Sequence, residues 1–128
     1  YNKIENLDLD KIDIVIDCTG ANNNKTALKK YFDKGVKKVI VSAPIHEENV
    51  ANIAYGVNQQ SYIPSNHNII TAASCTTNCI APIIKVLHEQ IGICHGSITT
   101  IHNITNSQNL VDLPQNNLRR ARSAINNL

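Results

Sequence analysis

"KIDIVID" occupies residues 11–17, and Ile12, Ile14, Val15 and Ile16 make it nearly continuous in apolar character. Such a run is expected of a strand covered on both faces within a parallel sheet. "CTGANNN" follows and reads as a turn. Residues 25–34 then carry Ala27, Leu28, Tyr31 and Phe32 at helical spacing, and Gly35 supplies a stop. "KKVIVSA" (37–43) is the next strand. Strand, helix and strand within about 35 residues make a βαβ unit, whose crossover is right-handed. The predicted fold class is α/β.

Working toward the C-terminus, Pro44 closes the second strand. A short strand is expected around 53–57, and "QQSYIPSNHN" (59–68) reads as loop. "NIITAAS" (68–74) is a strand that runs straight into a helix. That helix has Ile80, Ile83, Ile84, Leu87 and Ile91 at helical spacing, with Gly92 as its stop. "GSITTIHNIT" (96–105) alternates enough to predict a strand, 106–117 is a long polar loop, and "LRRARSAINNL" from 118 begins a further helix. A domain boundary is expected near Cys75. Residues 1–74 alternate β and α, and residues 75–128 bring a helix, a strand and a long loop of different chemistry.

At 128 residues the chain is about one ordinary domain, and 42% apolar content suits a globular protein. A net charge of +2, with scattered basic residues, gives no case for nucleic acid or a membrane surface. No apolar run approaches the roughly 18 residues needed to span a bilayer. No signal peptide stands at the start. The four cysteines do not form a disulfide framework: Cys75 and Cys79 are i,i+4 on one helix, Cys18 lies in a turn and Cys94 in an expected buried strand. Free thiols point to a reducing compartment, the cytoplasm. The polar opening, the lack of a start methionine and the end in mid-helix suggest a piece of a longer chain.

The chemistry begins at the 74–75 junction. Ser74 is a good N-cap, so Cys75 falls in the first turn of the helix. Unpaired N–H groups and a partial positive charge there favour thiolate over thiol and can stabilise an oxyanion. His102, at the end of the following strand, is a candidate base. A seven-residue strand and a four-turn helix are of similar length, so the imidazole can return to the helix start. The plain alternative for Cys75 is a small buried hydrophobe, and for His102 a solvated strand end. Cys79 reads as a core residue one turn along. Metal binding is disfavoured, since no second ligand pair has suitable spacing. His46, His67, His88 and His95 receive no role.

The strings "ASCTTNC" and "TTIH" give the chain a resemblance to phosphorylating glyceraldehyde-3-phosphate dehydrogenase. "IDIVIDCTG", "KKVIVSAP", "YGVN", "SCTTNCIAPIIKVLHEQIGI", "TTIHNITNSQNLVDLP" and "LRRAR" extend it over nearly the whole chain. The resemblance implies part of a Rossmann-type parallel sheet followed by the beginning of an α+β catalytic domain. It also implies that Cys75 attacks the aldehyde of glyceraldehyde 3-phosphate to form a thiohemiacetal, with His102 taking a proton. Hydride passes to NAD and leaves a thioester, which inorganic phosphate attacks to release 1,3-bisphosphoglycerate. Ser74, Thr76, Thr105 and Arg120 fit substrate or phosphate contacts, and Thr19, Gly20 and Ser42 fit cofactor contacts. The 106–117 loop is expected at a subunit interface of a homotetramer. Cys18 stands where the family has serine, and Ser107 where it has Thr or Asp. The Gly-rich phosphate turn and the acidic ribose residue lie outside these residues, so the chain alone is expected to bind NAD poorly, and NAD cannot be told from NADP. Erythrose-4-phosphate dehydrogenase and an arsenate-using relative are alternatives within enzymes; a non-catalytic oligomerisation or binding module is the alternative of another class.

Overall fold

The computed structural model describes residues 3–105 and 108–125. The chain divides into two compact units, residues 1–95 and 96–128. The first is an α/β unit on a four-stranded, wholly parallel sheet: β1 (Ile14–Asp17), β2 (Lys38–Val41), β3 (Val50–Asn52) and β4 (Ile69–Thr71), in the order β1-β2-β4-β3. Helix α1 (Lys25–Phe32) crosses from β1 to β2, and α2 (Cys75–Gln90) follows β4.

Helix α1 forms where its apolar spacing and cap agree. Asn24 accepts a 2.8 Å hydrogen bond from the Ala27 N–H, satisfying a donor the first turn leaves unpaired. Leu28 and Tyr31 bury, and with Ile4, Val36, Val39, Val41, Ile45 and Ile69 they make the core. Each fully buried aliphatic side chain there contributes about 1.5–3 kcal/mol. Gly35 follows at φ +89°, a conformation other residues adopt only with strain.

Several expectations change. β1 is not covered on both faces: Ile14 and Ile16 are 56% and 68% exposed while Val15 packs against the core. β1 is an outer strand with the core on its Val15 side, and its other face stays open among the described residues. The third strand lies at Val50–Asn52, not 53–57, because residues 54–58 turn: the Val57 and Asn58 N–H groups both donate to the Ala54 carbonyl, and Gly56 has φ +85°. α2 buries none of its residues; Cys79 is exposed, as are Ile83, Ile84, Leu87 and Ile91.

In the second unit, residues 96–105 form no strand among the described residues, since no ladder partner is present, and Cys94 just before it is exposed. The helix expected from 118 shortens to a single 3-10 turn, Leu118–Arg120. Asn117 caps it, and Asp112 accepts from the Ser123 N–H at 2.7 Å. Ser107 and the end of the expected helix at 126–128 lie outside the described residues.

Candidate active site

Parallel pairing decides where the candidate residues meet. Asp17 lies beside Val41, and Val41 beside Thr71. The segments that follow these residues therefore leave the sheet side by side at its carboxyl edge. Thr19 and Gly20 ride on β1, Ser42 on β2, and Ser74 and Cys75 on β4. Open α/β sheets bind ligands at this edge. The Ser42 N–H donates to the Asp17 carbonyl at 3.0 Å, tying the first two segments together.

The turn from β4 into α2 is sharp. Ala73 takes φ +57°, and its N–H donates to Thr71 Oγ1. Ser74 is the N-cap: its Oγ accepts from the Thr77 N–H at 3.0 Å and lies 2.8 Å from Thr77 Oγ1. Asn78 clamps the turn from one residue-turn above, donating to the carbonyls of Ala72 (2.6 Å) and Ser74 (2.9 Å). Below it, Asn52 accepts from Thr71 Oγ1 at 2.6 Å and donates to the Ile45 carbonyl. Cys75 is thus the first helical residue, exposed, on a turn fixed from two sides. Thr76 is half-buried beside it.

Left-handed backbone at a residue with a Cβ costs about 1–2 kcal/mol. Ala73→Gly would remove that cost but adds backbone entropy and loses a buried methyl, each of about 0.5–1 kcal/mol. It is expected to leave stability within roughly 0.5 kcal/mol, whereas Ala73→Val, β-branched, is expected to lose about 2 kcal/mol. Urea unfolding midpoints of the two variants check this.

A cavity of about 430 Å³ opens beside the turn, walled by Ser74, Thr77, Ala73, Pro44, Asn52 and His46 among others. Sequence reading gave His46, Asn52 and Asn78 no part. At the β1 end, Asp17 is 2% exposed and accepts four hydrogen bonds. The Thr19 N–H (2.9 Å) and Oγ1 (2.7 Å) reach Oδ1, and Asn22 Nδ2 (2.7 Å) and the Tyr31 hydroxyl (3.0 Å) reach Oδ2. Burial alone would raise the Asp17 pKa, but the donors from Thr19, Asn22 and Tyr31 outweigh it and hold the carboxyl below its usual range. Tyr31 is pushed up to about 12 by burial and by its bond to Asp17. An aspartate at a strand end with Thr two residues on is an Asx-turn pattern, the signal that could have found this cluster.

In the second unit, His102 is exposed with Nδ1 2.7 Å from the Asn103 carbonyl oxygen. A carbonyl only accepts, so Nδ1 is the donor, and in the neutral form of the ring the lone pair lies on Nε2. The Thr105 N–H donates to Gln108 Oε1 at 2.8 Å, and its hydroxyl donates to the same oxygen at 3.3 Å. Arg120 has an exposed side chain, and its carbonyl accepts from Asn109 Nδ2. No group of three or more metal-ligating side chains occurs among the described residues. None of their helices is long and apolar enough to cross a membrane.

Residues 74–128 match the family model described as glyceraldehyde 3-phosphate dehydrogenase, C-terminal domain. Glyceraldehyde-3-phosphate dehydrogenase 3 of Nostoc sp. is 54% identical over 112 residues, 88% of this chain and 33% of that protein. The chain belongs to the glyceraldehyde-3-phosphate dehydrogenase family. The Geobacillus stearothermophilus enzyme of that name is 49% identical over 117 residues, 91% of this chain and 35% of its own. The Streptomyces coelicolor one is 49% identical over the same length, 34% of its own. The chain spans about a third of the length of the curated glyceraldehyde-3-phosphate dehydrogenases it matches. The family model begins at Ser74, the residue that caps the helix of Cys75.

Proposed function

We propose that this chain supplies the nucleophile and part of the cofactor edge of an NAD-dependent, phosphorylating glyceraldehyde-3-phosphate dehydrogenase. The observation that carries the reading is the shared carboxyl edge, where Thr19–Gly20, Ser42 and Cys75 leave adjacent parallel strands. The functional division is drawn at the β4–α2 turn, where the family model begins, with 1–74 on the cofactor side and 75–128 on the catalytic side, although α2 lies in the same compact unit as the sheet.

The residues at the β1 and β2 ends fit the cofactor. Gly20 has φ +71° and open space where a Cβ would stand, and the Thr19 and Ser42 side chains are exposed beside it. NAD, when bound, supplies a hydride acceptor. The chain's own groups do the rest. Cys75 sulfur, favoured as thiolate at the helix start, bonds to the aldehyde carbon of glyceraldehyde 3-phosphate. The N–H groups of the first turn face the oxygen that gains charge. His102 Nε2 takes the hydroxyl proton of the thiohemiacetal as the carbon is oxidised. Inorganic phosphate then displaces the thiolate from the thioester and leaves as the acyl phosphate. Ser74, Thr76, Thr105 and Arg120 hold the anionic groups, with Arg120 offering a planar pair of donors.

The protein acts as a homotetramer in the cytoplasm, with the 106–117 loop at a subunit interface. Steady-state rates of the protein at its natural length test the reading. The highest kcat/KM is expected with glyceraldehyde 3-phosphate, NAD and phosphate together. Preference for erythrose 4-phosphate, or for arsenate over phosphate, would replace it with the corresponding relative. Absence of any NAD-dependent oxidation would leave a binding module.

A further inference from the structure

The Asp17 cluster is buried yet sits directly under the turn assigned to the cofactor. Its oxygens are acceptors only, because the carboxyl is ionised at neutral pH. The Thr19 hydroxyl therefore gives its single proton to Asp17 Oδ1 at 2.7 Å. Thr19 Oγ1 in turn accepts from the Ala21 N–H at 3.2 Å. One lone pair remains on the exposed side, and no proton.

We propose that Asp17 is a positioning residue for the cofactor: it fixes the Thr19 hydroxyl as an acceptor toward the bound molecule. The β1 turn then takes a hydrogen-bond-donating group of NAD, a hydroxyl or an amine, and not a phosphate oxygen. A phosphate oxygen only accepts, so against this lone pair it meets repulsion. Tyr31 and Asn22 hold the second carboxylate oxygen, so the orientation is set from α1 as well as from the turn. This inference rests on the dehydrogenase reading and deepens it.

The test uses the protein at its natural length. Asp17→Asn keeps the shape and removes the charge, and its single acceptor oxygen cannot serve both the Thr19 pair and the Asn22–Tyr31 pair, so the Thr19 hydroxyl is no longer held in one orientation. Its KM for NAD is expected to rise about tenfold, the scale of one hydrogen bond to a charged group, with kcat moved far less. Tyr31→Phe is expected to shift KM in the same direction by about threefold. Thr19→Val is expected to weaken NAD and leave competitive inhibition by inorganic pyrophosphate in place, while Thr19→Ser restores NAD binding. Melting curves identify the folded fraction, and a purely structural Asp17 would lower the melting temperature without moving KM of folded enzyme. Unmoved KM in Asp17→Asn and Tyr31→Phe overturns the inference. So does a Thr19→Val variant that loses pyrophosphate inhibition and retains NAD. A parent protein that turns over with no dependence on NAD overturns the dehydrogenase reading itself, a result distinguishable from both.

Discussion

Replacement of Cys75 by serine is expected to lower kcat by on the order of 10⁴-fold or more. A serine hydroxyl is a far weaker acid than a thiol and stays protonated at the helix start, so the acyl intermediate cannot form at a useful rate. Cys75 is exposed, so the melting temperature is expected to stay unchanged. The unmodified protein gives a companion measurement. Iodoacetamide at neutral pH is expected to label Cys75 far faster than Cys18, Cys79 or Cys94. All four are exposed, so exposure alone predicts comparable rates. Position in the first helical turn is what separates Cys75 from Cys79, one turn further along. Equal labelling of the four would remove the nucleophile and favour a binding module.

The second large effect belongs to His102. Exchange for asparagine is expected to cost 10²–10⁴-fold in kcat, the usual range for a lost general base. The pH dependence decides between roles. With histidine present, kcat/KM is expected to rise as the ring loses its proton, because Nε2 can accept only when the ring is neutral. The asparagine variant is expected to lose that limb and keep the helix-start contribution to Cys75 labelling. A variant with an unaltered pH profile and near-normal kcat would show that the imidazole takes no proton.

The elements read correctly from sequence are those whose local signals agree with each other. α1 has an apolar stripe, an Asn cap and a glycine stop; α2 has Ser74 before it and Gly92 after it, at φ +85°. β1, β2 and β4 are dense in β-branched residues. The signals failed where a strand depends on distant partners. Residues 96–105 alternate, but alternation only describes a face, and a strand also needs a neighbour to bond. β3 lies before the expected 53–57 because Asn52, a weak strand former, is held in the sheet by Ile45 and Thr71. In the site, Cys75 and Ser74 were legible from the cap and the apolar stripe behind them. The edge shared by Thr19, Ser42 and Cys75 was not, since it depends on register across strands far apart in sequence. The Asp17 cluster was hidden for a similar reason, as Tyr31 reaches it from fourteen residues away.

The strand order β1-β2-β4-β3 also constrains how the molecule is built. β1, α1 and β2 adjoin in sequence and can associate early, since little chain must be looped to bring them together. β3 emerges next but waits for its partner, because its one strand neighbour among the described residues is β4, which is made later. β4 must slot between two strands already synthesised. Its arrival fills the gap between β2 and β3 and throws the chain over at Ala73, so Cys75 takes its place at the helix start only when β4 has joined both neighbours.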